Sequence, residues 1–209
     1  MNIIDNLKWR YATKKFNTNK KITADNLELL KEAINLSATS YGLQPFKVLI
    51  IEDPKVREKL KAASWGQAQI TDASHLLLFC NYIELGPDKV DGYLKLRAEI
   101  NNLKLEDSKD YGDMMKSQMA ALSPAQIEVW TSKQTYIALG TLLAAASELK
   151  IDSCPMEGFN KVEFDNILGL KQKGLSASVI GAIGYRADDD PYAIFKKVRK
   201  PITEVFETI

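Results

Sequence analysis

Histidine is almost missing from this 209-residue chain: His75 is the only one. It opens an apolar stretch and reads as a structural residue rather than a base, and no serine sits in a nucleophile elbow. A nucleophile–base pair therefore has no candidate here. Cysteine is scarce as well. Cys80 and Cys154 lie in apolar surroundings, offer no metal-ligand spacing, and read as buried reduced thiols. No apolar run approaches the length of a membrane span, and the opening MNIIDNLKWR lacks the apolar core of a secretory signal. A soluble, cytoplasmic protein with no membrane partner is the expectation. An excess of charge is also absent: 28 Lys and Arg stand against 27 Asp and Glu, a net charge of +1. That balance argues against a nucleic-acid partner. With no internal repeat and no low-complexity linker, one domain over residues 1–209 is expected.

What is present is an ordinary globular mixture, 45% hydrophobic and 26% charged, long enough to bury a sizeable core. A short amphipathic helix is expected over 2–9. ITADNLELLKEAINLS repeats its apolar residues at helical spacing. PFKVLIIED and ASHLLLFCNY read as buried strands, separated by a helix that Asp53 caps and Pro54 begins. Residues 86–122 are more polar and mostly helical. Ser123-Pro124-Ala125-Gln126 has the form of a capping box. The long helix that follows, through Leu149, is apolar on most sides and is expected to be buried on more than one face. CPMEGFN then reads as a loop ending at an Asn160 helix cap, and SASVIGAIGYR as a third strand. The tail AIFKKVRKPITEVFETI has no core of its own and must dock on something. The class is α+β.

Four stretches have the chemistry to hold a ligand. Arg10 and Lys14 are four apart at the start of the chain, and Lys197 and Arg199 are two apart near its end. They read either as solvated surface charge or as two clusters gathered around one dianion, since arginine offers a bidentate fork and lysine a point charge. KKVRK also has the look of a short nucleic-acid patch, which the near-neutral chain disfavours. SATSYGLQPF is either a well-capped connection or a polar loop that holds a ligand. In WGQAQITDASH, Gln67 and Gln69 pair donors with acceptors, as the edge of a heterocycle requires, or else simply begin a helix.

Taken in order, RYATKKF, SATSYGLQPF, QAQITDASH, PMEGF and KKVRKP make the sequence resemble the FMN-dependent nitroreductases of the NAD(P)H nitroreductase and dihydropteridine reductase type, over nearly the whole chain. The resemblance implies a central mixed sheet flanked by helices, a homodimer that exchanges its C-terminal tails, and two FMN sites at the interface. It implies hydride transfer from NAD(P)H through FMN, in ping-pong order, to small-molecule acceptors such as nitroaromatics, quinones or pteridines. It assigns Arg10, Lys197 and Arg199 to the phosphate and Lys14 to flavin N1 and O2. Ala38, Thr39 and Ser40 match a loop contributed by the other subunit, and Gln134 a glutamine of the central helix. The loop Pro155-Met156-Glu157-Gly158 is expected at flavin N5 and O4, Glycine allowing close approach. Tyr11, Ala12, Gln67 and Gln69 complete the expected cofactor contacts.

No protein acid or base is required, because the cofactor carries the chemistry and Lys14 and Glu157 tune it. Three positions depart from the family pattern: Ala12 replaces a common serine, Gly66 a common asparagine, and Gln69 a lysine found in some relatives. The stretch YGDMMKSQMAAL is read either as core or as a movable substrate wall, with Tyr41, Met115 and Met119 facing the acceptor. A related flavin reaction such as reductive dehalogenation, and flavin binding without turnover, stay open beside the reductase reading.

Overall fold

The computed structural model describes residues 2–209. Helix α1 (Ile3–Trp9) leads to α2 (Ala24–Asn35), strand β1 (Phe46–Ile51), α3 (Pro54–Ala62), the single turn α4 (Gln69–Asp72) and β2 (His75–Tyr82). Helices α5 (Pro87–Asn101) and α6 (Lys109–Ala120) form a hairpin, followed by the long α7 (Pro124–Glu148). Then come β3 (Asp152–Met156), α8 (Lys161–Leu168), β4 (Leu175–Gly184) and the short α9 (Ile202–Val205).

The caps form where the residue types call for them. Thr23 accepts from Asn26 N, Asp53 from Lys55 N and Val56 N, and Asn160 from Glu163 N. At α7 both halves of the capping box are made, Gln126 N to Ser123 Oγ at 3.3 Å and Ser123 N to Gln126 Oε1 at 2.8 Å. Each cap satisfies backbone donors that a helix start would otherwise leave open.

The strands form one four-stranded sheet in the order β1-β2-β4-β3. All three ladders are antiparallel. The expected mixed character reduces, among the described residues, to one isolated parallel bridge between Ala12 and Ser153. Both central strands are buried on both faces, so alternate residues feed two cores. Leu76, Leu78 and Cys80 of β2 join Leu60, Ile70 and Phe164 on one side, while Leu77 and Phe79 join Leu30, Leu139 and Leu142 on the other. In β4, Val179 pairs with Phe79 and Ala177 with Cys80, so Ser178 is the extra residue of a bulge. That insertion switches the alternation. Leu175 and Ala177 share a face with Ile180 and Ala182, an odd step that an unbroken strand cannot make. Ser178 turns its hydroxyl to Thr135 of α7, 2.7 Å away.

Two readings need correction. CPMEGFN is not all loop, because Asp152–Met156 is a strand that ends in the motif. Its sequence concealed this: it is short and carries a proline. The position explains the tolerance, since the only ladder of β3 is with β4 and a proline on an edge strand leaves no second ladder broken. Helix α7 is buried on one side only within the subunit. Val129, Tyr136 and Ile137 stand exposed along one face, at the i, i+7, i+8 spacing of a helical stripe.

The packing of α7 on β4 depends on Gly181. A Cβ there would lie 2.8 Å from Leu142 Cδ2 and 3.3 Å from Leu139 Cδ1. Both leucines are enclosed and have little room to withdraw. Gly181→Ala is expected to destabilise the protein by about 1–3 kcal/mol, the usual cost of an overpacked core. A lowered urea midpoint at unchanged m-value checks it, and a midpoint equal to or above wild type would contradict the close packing.

Candidate active site

The N-terminal segment and the C-terminal tail meet beside the end of β3. Together they line a cleft of about 510 Å³ that includes Arg10, Tyr11, Ala12, Lys14, Pro155, Lys197 and Arg199. Seven of the expected site residues are thus gathered from three separate parts of the chain. Lys8 and Lys196 bring the lining cations to six, and no carboxylate lines the cleft. Lys197 Nζ donates to the Arg10 carbonyl, which ties the tail to the N-terminal segment. The charges sense one another. Burial lowers the pKa of Arg10 and Arg199 lowers it further, and burial, Arg10 and Arg199 together lower that of Lys197. Arg10 Nε is buried without a hydrogen-bond partner. An orphaned guanidinium nitrogen in a cleft whose charged lining residues are all cations calls for an anion.

Above Pro155 the chain turns through Glu157 and Gly158. Gln67 Nε2 donates to the Gly158 carbonyl at 2.6 Å and to Ser64 O at 3.1 Å. A Cβ at Gly158 would stand 3.2 Å from Gln67 Nε2 and 3.3 Å from Trp65 Cζ3, so glycine leaves room for those two side chains. Gln67 therefore holds the loop. Gln69 is buried, and burial pushes the Cys154 thiol pKa up. Gly66 sits at φ 75°, in the left-handed region that glycine and asparagine adopt most readily. The exchange of asparagine for glycine there keeps the backbone possible. Met156 points into the core.

Other expected site residues lie elsewhere in the subunit. Ser40 N donates to Gln134 Oε1 at 2.9 Å, and Gln134 Nε2 to Trp130 O at 3.1 Å. Thr39 Oγ1 accepts from Gln44 N at 3.1 Å, while Ala38 is exposed. Gln134 and Tyr136, two apart on α7, project from nearly opposite sides of the helix. The Ser40 loop and the Glu157 loop are thus on different flanks of α7, and one subunit does not bring them together. Tyr41 packs on Trp130 with ring centroids 6.4 Å apart and joins Val90, Leu94 and Met115. Met115 and Met119 are buried. Within the subunit Met115 belongs to the core of the α5–α6 region, and neither methionine lines the cleft. Their four-residue spacing fits a core face as well as a ligand face, and the sequence left that choice open.

Three residues escaped the sequence reading. Tyr136 donates to Glu157 Oε1 at 2.5 Å. Trp65 is exposed, at φ 54°, beside Gly158. Asp190 is buried behind the cleft and accepts bonds from Tyr11, Lys14, Lys15 and Tyr192. Only Tyr136 carried a signal, its place two residues from Gln134. Asp190 is one of three consecutive acids, with nothing local to single it out.

The family model described as the nitroreductase family matches residues 7–185. The chain belongs to the nitroreductase family. It is accordingly an oxidoreductase of the nitroreductase type. YfkO of Bacillus subtilis (strain 168), which bears an NAD(P)H nitroreductase name by assignment, is 36% identical over 201 residues, covering 90% of each chain. Among solved structures, a Staphylococcus epidermidis protein described as an NAD(P)H:FMN oxidoreductase superposes with a TM-score of 0.89 at 20% identity, over 100% of this chain and 96% of its own. An Exiguobacterium sibiricum nitroreductase-type protein solved in complex with FMN gives 0.86 at 18% identity, over 100% and 98%. These superpositions establish the fold that the family match carries.

The contact between Tyr136 and Glu157 has a measurable consequence. Burial, with the Glu157 hydrogen bond and charge added, pushes the Tyr136 hydroxyl up to about 12 from its ordinary 10.0. Unfolded, it ionises first. Its contribution is complete below the unfolded pKa and is lost as pH rises through the folded one. Melting temperature is therefore expected to fall less steeply between the ordinary value of 10.0 and about 12 in Tyr136→Phe than in wild type. Parallel slopes in the two proteins would contradict the contact.

Proposed function

We propose that the cationic cleft binds FMN and that the protein is an NAD(P)H-dependent FMN oxidoreductase. The observation that carries this reading is the cleft itself: six cations, no lining carboxylate and a buried, unpartnered Arg10 Nε. The phosphate dianion of FMN suits that charge, and the apolar Trp9, Ala12 and Pro155 nearby suit a flat ring body. Arg10, Lys197 and Arg199 would hold the phosphate through charge-assisted hydrogen bonds. Lys14 would place a positive charge beside the pyrimidine edge, favouring the reduced, anionic form by Coulomb attraction. Glu157 and Gly158, fixed by Tyr136 and Gln67, would present backbone to the reactive edge. FMN held there would supply the redox chemistry between NAD(P)H and a nitroaromatic, quinone or pteridine acceptor, in the ping-pong order this reading carries. The chain's own contribution is positioning and electrostatics, with no side chain needed as acid or base.

The working unit in this reading is a homodimer. The exposed stripe Val129, Tyr136 and Ile137 on α7, and the exposed Ile194, Phe195, Val198, Ile202, Val205 and Phe206 of the tail, leave apolar surface without cover. A second copy would cover both and bring its Thr39-Ser40 loop to the cleft. No helix among the described residues is long and apolar enough to cross a membrane. The buried free thiols Cys80 and Cys154 accord with a reducing, cytoplasmic location, which cell fractionation tests.

The purified protein is expected to be yellow, with FMN that either NADH or NADPH bleaches under anaerobic conditions. FMN should bind tighter than riboflavin, which lacks the phosphate. A lost hydrogen bond to a charged group costs about 1.5–3 kcal/mol, so Arg199→Ala should weaken FMN by roughly tenfold or more. Equal wild-type affinity for the two flavins would remove the phosphate assignment.

Sedimentation at micromolar concentration is expected to give a dimer, and dilution into monomer to release flavin. A stable monomer that retains FMN would contradict the shared site.

A further inference from the structure

Asp190 is the least expected residue near the cleft. It is a carboxylate only 3% exposed, in a protein whose other acids are mostly at the surface. Its Oδ2 accepts from Tyr11 OH at 2.8 Å, Lys14 N at 3.0 Å and Lys15 N at 3.2 Å. Its Oδ1 accepts from Tyr192 N at 3.0 Å. The first three donors belong to the N-terminal segment and the fourth to the start of the tail. One side chain thus fastens the segment that carries Arg10 and Lys14 to the one that leads into Lys197 and Arg199. Burial alone would raise its pKa. The hydrogen bonds from Tyr192, Tyr11, Lys14 and Lys15 outweigh that and hold it below the usual carboxylate value, so the acceptor stays charged.

We infer that Asp190 is a positioning residue for the anion site: its carboxylate clasps the tail to the Arg10–Lys14 segment and so keeps the phosphate-binding cations in one cleft. It does not line the cleft and need not touch a ligand. The reason a clasp is needed is electrostatic. Without an anion, Arg10, Lys197 and Arg199 repel, and within the subunit the tail's apolar residues are exposed, which leaves the Lys197 bond to the Arg10 carbonyl as the tail's other tie to that segment. A buried acid behind them supplies both four geometric anchors and one compensating charge. Neighbouring Asp189 makes a different contact, an ion pair with Lys15 in which both partners are more than half exposed, a kind that contributes little.

The inference rests on the flavin reading for its ligand, but its test has an arm that does not. Flavin-free wild type, Asp190→Ala, Asp190→Asn and Asp189→Asn are compared in two ways. Amide hydrogen exchange follows residues 192–199, and quenching of free flavin fluorescence measures binding of FMN and riboflavin. In Asp190→Ala the tail amides are expected to exchange faster. FMN should weaken by about tenfold while riboflavin changes by less than about twofold, as expected when organisation is lost at the charged end alone. Asp190→Asn, which keeps one acceptor oxygen, should fall between, and Asp189→Asn should match wild type. Should Asp190→Ala not fold, Asp190→Asn carries both measurements. Unchanged tail exchange overturns the clasp whatever the flavins do. Equal weakening of FMN and riboflavin reduces Asp190 to a structural residue and also overturns it. Wild type that does not distinguish the two flavins sinks the phosphate reading alone, and tail exchange still judges the clasp.

Discussion

Like charges repel, and this fold gathers Arg10, Lys197 and Arg199 from opposite ends of the chain into one cleft. Two unit charges 4 Å apart oppose each other by about 1 kcal/mol in water and about four times that at an effective dielectric of 20. Such a cluster persists only if other interactions fix the backbone beneath it. A connected polar network does this. Asp152, buried in β3, accepts from Arg186 N and Nε at 2.8 Å each. The Arg186 guanidinium then lies over the rings of Trp9 and Tyr11, at 4.5 and 4.6 Å. The Tyr11 hydroxyl continues to Asp190. The network runs from the edge strand through the end of β4 to the N-terminal segment and the tail. Breaking a buried pair of this kind on one side leaves an uncompensated charge and costs about 3–5 kcal/mol.

The sheet explains why the ends of the chain meet there at all. β3 and β4 are antiparallel neighbours, so the start of β3 at Asp152 lies against the end of β4 at Gly184, and the residues after β4 emerge beside those before β3. The bridge of Ala12 to Ser153 lays the N-terminal segment along the free side of β3, and Phe16 pairs with Arg186 on the way past. Edge strand, N-terminal segment and tail therefore share one corner. The bulge at Ser178 lets β4 change which core its residues serve without breaking its pairing with β2. α7 closes the other side of the sheet, and its two flanks carry the contacts to the Ser40 loop and the Glu157 loop.

Much of the fold was legible because its signals are local. Periodicity and caps placed α2, α3, α7 and α8, the buried strands β2 and β4, and β1, which read as buried but is a half-buried edge strand because only β2 flanks it. The edge strand β3 was missed because five residues with a proline and only one ladder do not look like a strand. The sheet's antiparallel order was also hidden, since pairing is a property of segments far apart in sequence. In the site, the residues of the cleft were recognisable as types and in order, through RYATKKF, PMEGF and KKVRKP. Met115 and Met119 were ambiguous because one helical spacing serves a core and a ligand wall equally.

The sequence by itself determined the class of element at most positions, the family, and which cations were available to meet an anion. Those follow from short-range chemistry: caps, alternation, and motifs a few residues long. Only the tertiary structure decided that Arg10 lies with Lys197 and Arg199, that Gln67 holds the Gly158 carbonyl, and that Tyr136 holds the Glu157 carboxylate. It alone separated Asp190 from Asp188 and Asp189, three acids identical on paper. The difference is burial and four hydrogen bonds to residues distant or beyond a turn. Such partners are set by packing, and packing is a property of the folded chain.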